Sequence, residues 1–113
     1  MKILTYSVFI IIAAVFTASL VLADCDVEKG KVLFNDVKLA GGTTGKSCNS
    51  CHPGGKGLEN MGEKNEWKMM GKTFKSLEDV VNYDIKMALH GKPLDPKSEE
   101  MANIVGYIKS LKK

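Results

Sequence analysis

The chain has 113 residues, 44% of them hydrophobic, and a formal net charge of +3. This length suits one small domain, and we find no internal repeat or second domain. All 16 basic residues are lysine, which argues against base-specific nucleic-acid recognition, because that recognition relies on the planar guanidinium of arginine. The sequence contains no Ser-His-Asp or paired-carboxylate pattern that would indicate a hydrolase. We expect most of the lysines to form a solvated shell and some of them to face an acidic protein partner, and we expect no nucleic-acid partner.

The first 23 residues have the pattern of an export signal. Met1-Lys2 is a short positive start, residues 3–23 carry no charge, and Val21-Leu22-Ala23 suits signal peptidase. We predict a signal peptide at residues 1–23, cleavage before Asp24, and a periplasmic or otherwise exported domain at residues 24–113. The alternative is an uncleaved membrane anchor, since the apolar run is about long enough to span a bilayer.

The predicted mature chain has 113 − 23 = 90 residues and a net charge of 15 − 13 = +2. A chain of this size has difficulty building a self-sufficient hydrophobic core. Its three cysteines are an odd number, so disulfides alone would leave one thiol unpaired. A covalently bound cofactor would supply the missing apolar contact area.

The predicted elements begin with a helix at about residues 26–34. Gly30 lies inside it at a cost in helix stability, and the usual reason for such a glycine is the close approach of another helix. Residues 38–47 have the composition of a loop, and residues 53–75 are loop-rich around Trp67.

A second long helix is predicted to begin at Ser76, the first residue of a capping-box pattern, and to end near His90. Asp84 falls in the centre of its apolar stripe, which is unusual for a carboxylate. The last helix is predicted to begin near Asp95-Pro96 and to bury one face. The buried face comprises Met101, Ile104, Val105, Ile108 and Leu111. No segment alternates as a strand does, so the sequence predicts an all-α domain with long loops.

The segment Cys48-Asn49-Ser50-Cys51-His52 is the clearest motif in the chain. A redox dithiol of the thioredoxin kind needs a βαβ context, which is missing, and a zinc site needs a fourth ligand besides Cys48, Cys51 and His52. Cys-x-x-Cys-His in an exported chain is typical of covalent c-type haem attachment. Two thiols at this spacing bond the porphyrin, and the next imidazole ligates the iron from one side.

The sequence resembles the class I cytochromes c over nearly all of residues 26–112. The matching parts are Gly30-Lys31-Val32-Leu33-Phe34, the haem motif, and the aromatic-bearing last helix at residues 101–111. The resemblance implies a small cytochrome c fold. In that fold the N- and C-terminal helices cross beside one covalently bound haem, with Gly30 against the Gly106-Tyr107 region.

Residues 76–101 are also similar to haem domains of thiosulfate dehydrogenases and related sulfur-oxidation cytochromes. Those domains carry a cysteine as distal ligand at the position of Asp84, so this resemblance implies that Asp84 faces the haem. A carboxylate is a poor match for a low-spin haem iron, and that activity does not carry over.

The chain departs from the class I pattern at the distal ligand. The loop before the last helix holds no methionine, and Leu94 lies about where the ligand is expected. We name Met70 and Met87 as leading candidates, although a methionine is more often a core filler. The further alternatives are Cys25, Met61, His90 and an open site. Cys25 would lower the potential as a thiolate, or would form a link to another subunit.

The sequence thus predicts a monohaem electron carrier rather than an enzyme in its own right, acting between redox proteins, one of which could be another cytochrome subunit. Two alternatives remain open at this point. One is a haem protein that binds NO or CO, and the other is the haem subunit of a sulfur or nitrogen redox complex. Trp67 is expected either to hydrogen-bond a haem propionate or to be a core aromatic.

Overall fold

Two helices from opposite ends of the domain cross and form its frame. The structure is a computed structural model, and it describes residues 25–113; the predicted signal peptide and its cleavage site lie outside the described residues. Helix α1 spans Val27–Phe34, and the Asp26 carboxylate caps it by accepting a hydrogen bond from Lys29 N at 3.1 Å. Helix α4 spans Glu99–Ser110. Because a Cβ added to Gly30 would lie 1.9 Å from the Asn103 carbonyl oxygen, the two backbones are in direct contact.

The crossing is the most completely buried part of the described chain. Phe34 of α1 is 1% exposed, and its ring lies 5.0 Å from that of Tyr107, centroid to centroid, in an edge-to-face arrangement. Met101 and Ile104 of α4 have no exposed surface. The predicted close approach at Gly30 is confirmed, with Asn103 and Tyr107 as the residues approached.

Along the chain, two shorter α-helices lie between α1 and α4: α2 spans Cys48–Cys51 and α3 spans Leu77–Asp84. The predicted cap of α3 is confirmed, since the Ser76 hydroxyl accepts a hydrogen bond from Asp79 N at 3.1 Å. From Ile85 to Leu89 the helix widens into a π-helix, in which the N–H of His90 reaches back to the Ile85 carbonyl. His90 then ends the helix in the left-handed conformation, at φ 54°.

The prediction of an all-α domain is wrong in one respect, because the described chain also contains a small antiparallel sheet. Strands β1 (Trp67–Met69) and β2 (Lys72–Phe74) pair with Trp67 opposite Phe74. Both residues of the turn have positive φ, 50° at Met70 and 76° at Gly71, which is the geometry of a tight two-residue hairpin. Methionine is uncommon at such a position, and strands of three residues are too short to show alternation.

The last helix also begins later than predicted. Asp95 and Pro96 form a turn before it, and Ser98 is the cap, with its hydroxyl accepting a hydrogen bond from Met101 N at 3.2 Å. Serine at the cap satisfies a free N–H group, which proline cannot do. The described part of the chain is therefore helix-rich with one small hairpin. None of the helices within residues 25–113 is long and apolar enough to cross a membrane.

Candidate functional site

The short helix α2 presents both thiols of the motif to one cleft. Ser50 Oγ accepts a hydrogen bond from the backbone N–H of Ser47 at 2.9 Å, which fixes the first turn. Cys48 and Cys51 are three residues apart, a spacing that puts two side chains on the same side of a helix. Both line the cleft together with His52, and neither is in a disulfide. The structure thus brings together the three residues that the sequence predicted.

The imidazole of His52 is held by the loop that follows it. Its Nδ1 lies 3.0 Å from the Lys56 carbonyl oxygen, and because a carbonyl only accepts, Nδ1 carries the proton. This leaves Nε2 unprotonated, with its lone pair available to a metal. Gly57 lies against the ring at φ +92°, where a Cβ would be 3.4 Å from Nδ1, so the loop closes tightly around the imidazole.

The cleft itself is lined mainly by apolar side chains. It encloses about 110 Å³, and its mouth opens to solvent. Phe34 and Ile104 bring the helix crossing to it, and Leu77, Val80 and Val81 form the α3 wall. An apolar cleft with two thiols and an imidazole on its wall fits a flat hydrophobic macrocycle attached through sulfur.

Burial changes the acid–base properties of two groups in the cleft. Burial, with a smaller contribution from the nearby Asp84 carboxylate, raises the pKa of the Cys48 thiol to about 11. Burial also raises the pKa of Asp84, and the charge of His52 opposes that rise. Asp84 lines the same cleft as Cys48, Cys51 and His52. As expected from its position in the apolar stripe, Asp84 faces the cleft.

The two leading candidates for the distal ligand do not line the cleft. Met70 is 85% exposed at the tip of the hairpin, and Met87 is 57% exposed on the π-helix. Ala88 and Leu89 of the same π-helix line the cleft instead. A distant loop contacts this segment, because Thr44 Oγ1 donates to the Ala88 carbonyl at 2.9 Å.

The other candidates are divided between the cleft and the surface. Met61, one of the further alternatives named from the sequence, lines the cleft. Cys25 lies at the helix crossing, where a Cβ on Gly106 would be 2.8 Å from its Sγ, and His90 is exposed. Leu94 is partly buried, and both its N–H and its carbonyl are bound by the Asn82 side chain.

Trp67 is a core aromatic rather than part of the cleft lining. It is 8% exposed, and its indole N–H donates to the Met61 carbonyl at 3.3 Å. Within residues 25–113 no group of three or more His, Cys, Asp or Glu side chains is placed to hold a metal ion. Haem attachment does not require such a cluster, because the two sulfurs bond to carbon.

Comparisons of the chain with protein-family models, curated proteins and solved structures found no match.

Proposed function

We propose that the chain is an exported monohaem c-type cytochrome that carries single electrons between redox proteins. The observation that carries this proposal is the placement of Cys48, Cys51 and His52 on the wall of one apolar cleft, with His52 Nδ1 bound to the Lys56 carbonyl. The cytochrome c fold belongs to the same proposal, and the crossing of α1 and α4 at Gly30 supports it.

Each residue of the motif has a defined task in this proposal. Cys48 and Cys51 hold the porphyrin through two thioether bonds, and the Nε2 atom of His52 ligates the iron. The bound haem supplies a one-electron couple between ferric and ferrous iron. The surrounding apolar side chains exclude water from most of the ring, and burial of this kind is one of the factors that set the potential.

Electron exchange also needs a partner and an exported location. Haem is attached to such motifs outside the bacterial cytoplasm, so the proposal requires that the leader at residues 1–23 directs export. Lysines near the exposed ring edge would attract acidic surfaces of donor and acceptor proteins. The two propionates about cancel the predicted mature net charge of +2, so this attraction is local.

The proposal is tested by producing the full chain in a bacterial host that attaches c-type haem. The mass of the denatured protein should show one haem per chain and loss of the leader, and voltammetry should show a reversible one-electron wave. Cys48→Ala and Cys51→Ala should each lose one thioether bond, which moves the α-band of the pyridine haemochrome. His52→Ala should remove the axial imidazole, which should shift the Soret band of the haem-loaded protein.

Cys25→Ala is the matched control, because Cys25 lies at the helix crossing and away from the cleft lining. It should retain one covalent haem with an unchanged spectrum. A wild-type protein that is exported without haem and binds zinc at a one-to-one ratio would contradict the proposal.

A further inference from the structure

One peptide group, between Lys56 and Gly57, links His52 to the carboxylate of Glu59. The carbonyl oxygen of Lys56 accepts the hydrogen bond from His52 Nδ1 at 3.0 Å. The N–H of the same peptide group belongs to Gly57, and it donates to Glu59 Oε2 at 2.8 Å. Because the C=O and the N–H of a trans peptide point in opposite directions, the imidazole and the carboxylate lie at opposite ends of one amide.

The loop around this peptide group is closed by its own backbone. Gly55 N donates to the His52 carbonyl at 2.8 Å, which brings the chain back toward the motif directly after it. Gly57 has φ +92°, a conformation that glycine adopts more readily than other residues, and it lies against the imidazole ring. The peptide group is therefore held in one orientation, and the partly buried Glu59 is the residue whose side chain binds its N–H.

A negative charge at the N–H end of this amide changes the hydrogen bond at its carbonyl end. Glutamate is ionised at neutral pH, and a hydrogen bond to an ionised acceptor is roughly twice as strong as one between neutral groups. Consecutive hydrogen bonds polarise one another, so the carboxylate of Glu59 increases the electron density on the Lys56 carbonyl oxygen. That oxygen becomes a better acceptor for the Nδ1 proton of His52, and Nε2 becomes a more basic ligand.

We propose that Glu59 is a positioning residue that acts on the imidazole of His52 through the Lys56–Gly57 peptide and thereby lowers the potential of the haem iron. This inference deepens the proposed function and rests on it, because it requires the haem that His52 ligates. A more basic axial imidazole favours ferric over ferrous iron, since the ferric ion carries the higher charge. The effect does not depend on which group lies on the other side of the haem.

The test uses haem-loaded protein made from the full chain, in which the acceptor at position 59 is changed in two steps. Glu59→Gln keeps an oxygen that can bind the N–H of Gly57 but removes the charge, and Glu59→Ala removes the acceptor altogether. Voltammetry should give a higher midpoint potential for Glu59→Gln than for the wild type, and a still higher one for Glu59→Ala. In NMR spectra of the reduced protein, the Nδ1 proton of His52 should move upfield in the same order, because its hydrogen bond weakens.

Glu63→Gln is the matched control, because it makes the same change in charge at a nearby exposed site. Glu63 Oε1 accepts a hydrogen bond from Lys112 Nζ at 2.9 Å and not from the loop around His52. We expect this variant to change the potential less than Glu59→Gln does and to leave the Nδ1 proton of His52 in place. If Glu59→Ala fails to fold, Glu59→Gln still decides the outcome, because its side chain has nearly the same volume as that of the wild type.

Three results in haem-loaded protein would overturn the inference. A wild-type potential and an unmoved proton in Glu59→Gln would show that the side chain only holds the loop in place. Equal shifts in potential in Glu59→Gln and Glu63→Gln, with the proton unmoved in both, would show that the charge acts through space and not through the peptide. A lower potential in Glu59→Gln would show that the carboxylate does not favour ferric iron. A wild type that attaches no haem is a different result, because it overturns the proposed function and this inference with it.

Discussion

The crossing of α1 and α4 and the cleft beside α3 are both lined by apolar side chains, but they differ in how far those side chains fill the space. At the crossing, Gly30 meets the Asn103 carbonyl at a distance that admits no Cβ, and the neighbouring Phe34 and Ile104 are almost fully buried. The cleft, in contrast, is also lined by side chains that are only partly buried, among them Met61, Asp84 and Ala88.

The difference indicates that the crossing stabilises the fold, whereas the cleft is suited to bind another group. At the crossing, the apolar surface of each helix is already buried against the other helix. An open apolar cleft leaves apolar surface exposed, which a bound group would cover. The sharpest comparisons are therefore substitutions that should act on one region and spare the other.

The largest effect is expected from Gly30→Ala. The added methyl group would overlap the Asn103 carbonyl, so α1 and α4 have to separate, and we expect a loss of about 3 kcal/mol or more in the free energy of unfolding. Chemical denaturation measures this loss. Gly45→Ala is the control, since Gly45 has φ +73° but no atom within 4 Å of an added Cβ, and it should lose only about 1–2 kcal/mol. A loss in Gly30→Ala no larger than that in Gly45→Ala would show that the crossing tolerates a methyl group at position 30.

A smaller effect is expected from Asn103→Ala. Asn103 is 3% exposed, and its side-chain oxygen accepts a hydrogen bond from Asp26 N at 2.7 Å, which ties the start of α1 to α4. Removing the acceptor should lower the free energy of unfolding by about 1–3 kcal/mol and, if the proposed haem is attached, leave its optical spectrum unchanged. Asn35→Ala, at an exposed site, should change stability by less than about 0.5 kcal/mol. A changed spectrum in Asn103→Ala would mean that the crossing and the cleft are coupled.

In the cleft, Asp84→Asn should change how stability depends on pH. Since burial raises the pKa of Asp84 in the folded state, the folded protein binds this proton more tightly than the unfolded chain does. The wild type should therefore lose stability relative to Asp84→Asn as the pH rises through the folded pKa. Thermal unfolding should give similar midpoints at about pH 3 and a higher midpoint for Asp84→Asn at about pH 7.

Asp79→Asn is the control for this prediction, because Asp79 is an exposed carboxylate in the first turn of the same helix. A negative charge there favours the helix, so its removal should slightly lower stability at neutral pH, the opposite sign to Asp84→Asn. The prediction would be wrong if both variants moved in the same direction.

The smallest effect is expected from Met70→Asn. Met70 has φ 50° at the hairpin turn, where asparagine is favoured, so the substitution should raise the free energy of unfolding by about 0.5–1 kcal/mol. Met70→Ala, which keeps the unfavourable conformation, should not stabilise. Both variants should leave the optical spectrum of the haem-loaded protein unchanged, and loss of a sulfur-to-iron band in either would return Met70 to the list of ligands.

Patterns that act over a few residues were predictable from the sequence. The spacing of Cys48, Cys51 and His52 predicted that they share one site, since a single helical turn is enough to bring them together. The cap at Ser76 and the apolar stripe that includes Asp84 were equally local, because one helix determines which side chains share a face. Gly30 indicated a close helix contact because its cost within a helix needs a compensating reason.

The tertiary structure decided the features that depend on contacts between distant segments. The residues around Met70 do not reveal that it lies in an exposed two-residue turn. The turn depends on the pairing of two strands that are each too short to be recognised from the sequence. Thr43 and Thr44 from another loop hydrogen-bond the Leu89 and Ala88 carbonyls of the π-helix, and Met87 lies on the exposed side of that segment. The sequence by itself thus determined the wall of the cleft that carries the motif. Which side chains lie across the cleft from the motif was decided only by the packing of α3 against the rest of the chain. The position of those side chains depends on where the tertiary contacts place the backbone of α3.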